Sequence, residues 1–176
     1  HHHVDHIYGL DEVRRFNALM QEPVDLFAEE RTLDAIHRVY RHIFDAAKNL
    51  NPSFVAHVRT HRVTTDGSIS RMGIRATPIR LLHGKMPILG WRFDAVDAAG
   101  AAWNDRPGPF PFAWCTDCSA IPTESWPRLG GLRHLYLDML RTRRNPTHFC
   151  LDESLAVAEQ VAGKQTWFIH MSHDVA

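Results

Sequence analysis

Residues 1–6 of this chain read HHHVDH and contain the pattern H-x-H-x-D-H, a cluster of side chains that bind metal ions. Neutral imidazoles suit Zn, Fe or Ni, and a carboxylate extends the range towards Mn. A tight loop can aim His1, His3, Asp5 and His6 at two neighbouring points. Consecutive histidines are also typical of a purification tag, but a tag accounts for neither Asp5 nor His6. The pattern therefore predicts a metal site.

Other polar residues of this kind lie where predicted strands end. His83, Asp117 and His170 each close a run rich in β-branched and aromatic residues, and a layered fold gathers side chains at such ends. Asp138 also ends a predicted strand. It either orients a metal-binding histidine or caps the strand.

Two cysteines, Cys115 and Cys118, have the spacing of half a structural zinc site. The sequence contains no second pair at this spacing, and Asp117 stands inside it. We therefore interpret both cysteines as packing residues near the site.

The elements that position these residues alternate along the chain. The patterns predict helices at 9–20, 30–46 and 151–162, and strands at 24–28, 54–63, 69–82, 87–96, 112–116, 132–140 and 166–169. Such alternation is typical of α/β layers. No internal repeat and no second domain is evident, so residues 1–176 are predicted to form a single domain.

The composition excludes some classes of protein. Lys plus Arg number 20 and Asp plus Glu also number 20. This balance argues against a protein that coats nucleic acid, although it leaves room for a local basic groove. No apolar run is long enough for a membrane span, and the odd number of cysteines does not suggest a disulfide framework. We expect a cytoplasmic protein without a membrane partner.

Taken together and in this order, the motifs resemble those of the metallo-β-lactamase superfamily. The continuation GLDEVR at 9–14 resembles the branch that contains the phosphoribosyl cyclic phosphate phosphodiesterase. The resemblance covers essentially the whole chain and implies a four-layer αββα sandwich with metals at one edge of its sheets. The family normally has strands before the first motif and continues after the last. The chain is thus expected to lack N-terminal strands and to be truncated at both ends.

The resemblance also implies two divalent metal ions, Zn or Mn, held by seven residues. These are His1, His3 and His83 for the first metal, Asp5, His6 and His170 for the second, and Asp117 as the carboxylate that bridges both.

Asp5 and His148 are the residues to which the resemblance gives catalytic roles. His148 matches a histidine that protonates the leaving oxygen, although a plain loop or cap residue is the alternative. Arg144, in the basic run 141–144, either holds phosphate oxygens or lies on a solvated surface. His173 either contacts the substrate or only begins a helix.

The expected activity is hydrolysis of a phosphodiester, either a small cyclic phosphate or a nucleotide-like compound, by a hydroxide that the two metals activate. The same scaffold also hydrolyses thioesters and lactones, which need no acid at His148. A nuclease would need a longer basic surface than 141–144, so nucleic acid is not an expected partner. A scaffold without catalytic activity is a further alternative. Missing strands would leave exposed sheet edges, which favours a homodimer.

Overall fold

The protein is described by a computed structural model that covers residues 1–45, 54–103 and 108–175. Two compact units make up the chain, residues 1–64 and residues 65–176. The single domain over 1–176 stays a prediction. Residue 46, the end of the predicted helix 30–46, lies outside the described residues.

The first unit combines helices with a pair of parallel strands, in which Val24 lies opposite Val58. Its core gathers Ile7, Ile36, Tyr40, Ile43 and Ala56. The elements are α1 (Val4–Ile7), a 3-10 turn (Leu10–Val13), α2 (Arg14–Met20), β1 (Val24–Ala28), α3 (Glu30–Val39), α4 (Arg41–Phe44) and β2 (Val58–Arg62).

The helix predicted over 30–46 is interrupted at Tyr40, which has φ −103° and ψ 41° and separates α3 from α4. Tyr40 is buried, and its hydroxyl donates a hydrogen bond of 2.7 Å to the carbonyl oxygen of Ile7. A buried phenol needs such a partner, and here the partner is the last residue of α1. Tyr40 therefore anchors the helix that contains Asp5 and His6 of the histidine motif.

The second unit is built on a six-stranded sheet in the order β3-β4-β5-β6-β7-β8. Strands β3 to β6 are antiparallel, and β6, β7 and β8 are parallel. The elements are β3 (Ile69–Arg71), β4 (Ile74–His83), β5 (Met86–Ala95), β6 (Phe112–Cys115), a 3-10 helix (Thr123–Leu129), β7 (His134–Asp138), α5 (Leu151–Val161), β8 (Gln165–Ile169) and a terminal 3-10 turn (His173–Val175).

The strand predicted over 69–82 is a hairpin instead. Met72 and Gly73 both have positive φ, 51° and 74°, and Arg71 pairs with Ile74 across them. Positive φ at both central residues is the requirement of a type I′ turn. Methionine is an unusual residue at such a position, so the turn was not visible in the sequence.

One face of the sheet forms the main core of the second unit. Ala113 and Cys115 on β6 and Leu135 and Leu137 on β7 are completely buried, and they alternate with more exposed neighbours as a strand with one buried face requires. Buried residues from the helical and loop segments, among them Leu129, complete this core. In the described ranges, no helix combines the length and the apolar character that a membrane crossing demands.

Candidate metal centre and acid–base pair

The histidine motif of the first unit forms a compact cluster of rings. The centroid of the His1 ring lies 4.5 Å from that of His3 and 4.3 Å from that of His6. His3 stands at the N-terminal cap of α1, and His6 Nε2 lies 3.5 Å from Asp5 Oδ2. The motif side chains thus lie together, on a short helix and the residues before it and not in the tight loop that the sequence suggested.

In the second unit, three polar residues lie at the carboxyl ends of the parallel strands. Asp138 is the last residue of β7, His170 directly follows β8, and Asp117 comes two residues after β6. The carboxyl ends of parallel strands meet at one edge of a sheet, which is the usual place for a site in an open α/β sheet. Here Asp117 Oδ1 and His170 Nε2 are 3.1 Å apart.

Both Asp117 and His170 adopt left-handed backbone conformations, with φ of 55° and 61°. Aspartate and histidine are among the non-glycine residues that adopt this region most often, yet the conformation still costs on the order of 1 kcal/mol or more. Such positions persist where the surrounding structure holds them and are concentrated at functional sites. Asp117 is nearly completely buried, and its Oδ1 accepts a hydrogen bond of 3.0 Å from the Thr116 hydroxyl.

His83 is the last residue of β4 and is largely buried. Its Nδ1 lies 2.8 Å from the carbonyl oxygen of Thr147. A carbonyl oxygen only accepts hydrogen bonds, so the ring proton is on Nδ1 and the lone pair is on Nε2. A histidine whose second nitrogen is fixed by a carbonyl in this way has the tautomer of a metal ligand.

His148 forms a pair with the buried carboxylate of Asp138. Its Nδ1 lies 2.8 Å from Asp138 Oδ2, which also accepts a hydrogen bond of 2.7 Å from the backbone N–H of Cys118. The Ser154 hydroxyl donates to the Asp138 carbonyl oxygen at 2.7 Å. The sequence predicted that Asp138 orients a metal-binding histidine or caps its strand, whereas its carboxylate lies against His148, which is not among the seven expected ligands. Since the carboxylate accepts from Nδ1, it directs Nε2 of His148 away from Asp138.

The ring of His148 is in contact with two of the expected ligands. It is edge-on to His83, with centroids 4.7 Å apart, and nearly parallel to His170, with centroids 5.0 Å apart. The second unit therefore brings together His83, Asp117, His148 and His170, as the sequence predicts for residues of one site.

Cys115 and Cys118 lie in the core of the second unit. Burial raises the pKa of Cys115 to about 12. Burial, followed by the negative charges nearby, raises the pKa of Cys118 well above its usual range. Both thiols are thus protonated at neutral pH, and the interpretation of these cysteines as packing residues is confirmed.

The two residues predicted to contact the substrate are on the surface. The Arg144 side chain is 88% exposed and lies 3.5 Å from Glu153, and the His173 side chain is 94% exposed. Their substrate contacts stay a prediction. Sequence reasoning missed Thr147, because it contributes through its backbone carbonyl, and a backbone contact leaves no signal in the residue type.

A family model described as the beta-lactamase superfamily domain matches residues 1–171. The structure resembles the crystal structure of a diphosphatase from the PhnP family, with a TM-score of 0.78 and 35% identity over 99% of this chain and 59% of that chain. It also resembles Zn(2+)-bound PqqB from Methylobacterium extorquens, with a TM-score of 0.63 and 16% identity over 98% of this chain and 60% of that chain.

A curated octanoyltransferase from Porphyromonas gingivalis is 26% identical over 174 residues, which make up 98% of this chain and 31% of that protein. The chain thus spans less than two thirds of the length of each of these relatives. These matches confirm the resemblance and the α/β metallo-β-lactamase fold predicted from the sequence.

Proposed function

Because the chain belongs to the beta-lactamase superfamily domain family, we propose that it is a metal-dependent hydrolase that cleaves a phosphodiester. The substrate class that we propose is a small cyclic phosphate or a nucleotide-like compound. The diphosphatase that is 35% identical over 99% of the chain supports a reaction at phosphorus. The octanoyltransferase supports acyl chemistry less strongly, since this chain covers only 31% of it.

The observation that carries the proposal is the buried Asp138–His148 pair beside His83 and His170. An alkoxide is a poor leaving group, and cleavage of a phosphodiester is faster when a positioned acid protonates it. Asp138 stabilises the protonated imidazole and fixes its ring, because the carboxylate accepts from Nδ1. Nε2 of His148 is then the atom that delivers the proton to the departing oxygen.

The proposed metal ligands are His1, His3 and His83 for one metal, Asp5, His6 and His170 for the other, and Asp117 for both. These side chains suit metal ions, because His83 has its lone pair on Nε2 and Asp117 offers a buried carboxylate. When bound, two divalent ions such as Zn or Mn lower the pKa of water and stabilise charge on phosphoryl oxygens. Asp5 is both a ligand and, in this proposal, a catalytic carboxylate.

Substrate binding is assigned to Arg144 and His173. Both side chains are long or polar and extend into solvent, so a phosphate can reach them without rearrangement of the fold. Glu153 competes for Arg144 in the absence of substrate, since the two side chains are only 3.5 Å apart.

The proposal is tested by measuring metal content and the hydrolysis of a chromogenic phosphodiester in added Zn or Mn. We expect about two metals per chain. We expect His148→Ala to lower kcat by roughly 10²–10⁴-fold while metal content stays unchanged. His134→Ala is the matched control, because His134 begins β7 at the end opposite to Asp138. Absence of metal from the protein, or full activity of His148→Ala, would refute this mechanism.

A further inference from the structure

A cavity lies at the amino ends of the parallel strands, opposite to the sheet edge where Asp138 lies. Three of its lining residues directly precede these strands, since Pro111 comes before β6, Arg133 before β7 and Lys164 before β8. Because a strand rises about 3.3 Å per residue, Arg133 and Asp138 are about 16 Å apart along β7. The basic cavity, as we call it, has a volume of about 300 Å³ and is lined by Arg92, Pro111, Gly131, Leu132, Arg133 and Lys164.

Hydrogen bonds hold the walls of the basic cavity in place. Arg92 forms an ion pair with Asp94, in which Nη2 lies 2.8 Å from Oδ1, and its Nη1 donates to the Gly130 carbonyl oxygen at 2.7 Å. The backbone N–H of Arg133 donates to the Pro111 carbonyl oxygen at 2.8 Å. The cavity is thus formed by contacts of the folded chain, and the charge of Arg92 is already offset by that of Asp94.

The other two cations give the basic cavity its positive charge. Arg133 Nη1 donates to the Gly108 carbonyl oxygen at 2.8 Å, a bond that uses one of the five N–H groups of a guanidinium. Lys164 is exposed, and its ammonium group brings three further donors. None of the described residues that line the cavity is acidic. Two cations beside a cavity raise the local concentration of anions, and an anion with two charges matches both of them.

The size and the charge of the basic cavity favour a phosphate group. Cavities that bind small molecules begin at about 300 Å³. A phosphate monoester carries a charge of about −1.5 to −2 at neutral pH and offers three acceptor oxygens, whereas a carboxylate carries a single charge on two oxygens. Guanidinium and ammonium groups both bind phosphate through charge-assisted hydrogen bonds. Gly131 leaves space along this wall, because a Cβ atom there would meet nothing within 4 Å.

We propose that the basic cavity binds a small phosphate-bearing anion, either inorganic phosphate or a phosphate monoester. Arg133 and Lys164 donate to the phosphate oxygens, while Arg92 holds the wall beside them. The site is separate from the acid pair and its neighbours, because the length of the parallel strands lies between them. Binding here breaks no bond of the ligand and stands whether or not the chain hydrolyses a phosphodiester.

The test is a titration of the isotope-labelled protein with inorganic phosphate at constant ionic strength, followed through the NMR signals of the backbone amides. We expect the amide signals of Gly131, Arg133 and Lys164 to shift and to reach saturation. The amide signals of Asp117 and His170 report on the opposite edge of the sheet, so phosphate bound there is recognised separately. Shifts near the cavity that are absent, or that grow in proportion to phosphate without saturation, would overturn the site.

Charge-removing variants test whether the two cations hold the anion. We expect Arg133→Gln and Lys164→Gln each to weaken binding by roughly threefold to tenfold, and the double variant to abolish saturation. Arg71→Gln is the matched control, because it removes an exposed charge of the same unit outside the cavity. Lys164→Gln keeps the test valid if Arg133→Gln disturbs the fold by losing its bond to Gly108. Equal binding by wild type and Lys164→Gln would overturn the role of these cations.

Two further titrations establish the class and the source of the anion. Tighter binding of glycerol phosphate than of inorganic phosphate would assign a phosphate monoester, and the reverse order would assign free phosphate. We expect acetate to bind about tenfold more weakly than either, because it carries one charge and makes fewer charge-assisted hydrogen bonds. Acetate that binds as tightly as phosphate would contradict the proposed class of ligand.

Discussion

At the scale of single residues, the chemistry depends on which atom of each side chain is already engaged. The Thr147 carbonyl fixes the tautomer of His83, and the Asp138 carboxylate fixes the orientation of His148. Residue type and strand position pointed to His83, Asp117 and His170, and the family resemblance added His148. Which nitrogen each histidine presents depends on atoms of distant residues that folding brings close, so the sequence could not specify it.

Asp138→Asn tests whether this carboxylate acts through His148. We expect kcat to fall by about 10-fold or more, with little change in KM, because the asparagine oxygen still accepts from Nδ1 but no longer stabilises the protonated ring. In the double variant with His148→Ala, the Asp138 substitution should cause no further loss, since both residues supply one proton. The losses in kcat are measured by steady-state kinetics of wild type, Asp138→Asn, His148→Ala and the double variant. Additive losses would indicate that Asp138 has a purely structural role.

The reactivity of the cysteines is a second prediction at this scale. Cys115, Cys118 and Cys150 are buried free thiols, and the raised pKa values of Cys115 and Cys118 leave almost no thiolate at pH 8. We expect a thiol reagent at pH 8 to modify neither Cys115 nor Cys118 in the native protein, and all three cysteines in denaturant. Peptide mass analysis after labelling locates the modified sites. Rapid native labelling of Cys115 would contradict the packing role.

At the scale of the elements, the positions of most strands followed from their composition, and their ends did not. Strand β1 (Val24–Ala28) has the predicted bounds, because its apolar residues lie between Pro23 and the pair Glu29 and Glu30. The hairpin at Met72 and the interruption at Tyr40 were missed. Both depend on contacts or backbone angles that the local pattern does not encode.

Close contact between β4, β5 and β6 makes Gly90 a sensitive position. A Cβ atom there would lie 2.6 Å from Leu81 Cδ1 and 2.9 Å from the Trp114 carbonyl oxygen, and the backbone oxygen cannot move away. We expect Gly90→Ala to lower the free energy of unfolding by roughly 1–3 kcal/mol, as other overpacked cores do. Urea denaturation measures this loss. Gly67→Ala is the control, because a Cβ at Gly67 meets nothing within 4 Å; equal stability of both variants would be evidence against tight packing here.

At the scale of the whole molecule, the family and the fold class followed from motifs that run the length of the chain. These motifs did not predict which surface of the protein would contact a partner. On the six-stranded sheet, Trp114, Tyr136 and Trp167 lie side by side on neighbouring strands β6, β7 and β8. Trp114 and Trp167 remain 42% and 45% exposed, which is typical of a surface that associates.

The homodimer expected from the sequence is tested on this aromatic row. We expect the chain to associate at high concentration and Trp167→Arg to shift it towards the monomer, because a charge placed among the aromatic rings costs desolvation energy. Sedimentation at several protein concentrations measures the change. Leu155→Arg, on the exposed side of α5, is the control for an added surface charge. A wild-type chain that is monomeric at every concentration would refute the homodimer.

The location of the acid pair has a consequence for how such a protein changes over generations. Asp138, His148 and the segments that support them all belong to residues 65–176, whereas the histidine motif belongs to residues 1–64. Under the proposed function, substitutions around α1 would alter metal ligands without touching the residues that deliver the proton. Natural variation would then act on the two proposed roles separately, and a descendant would acquire a new metal preference while it keeps an old leaving group.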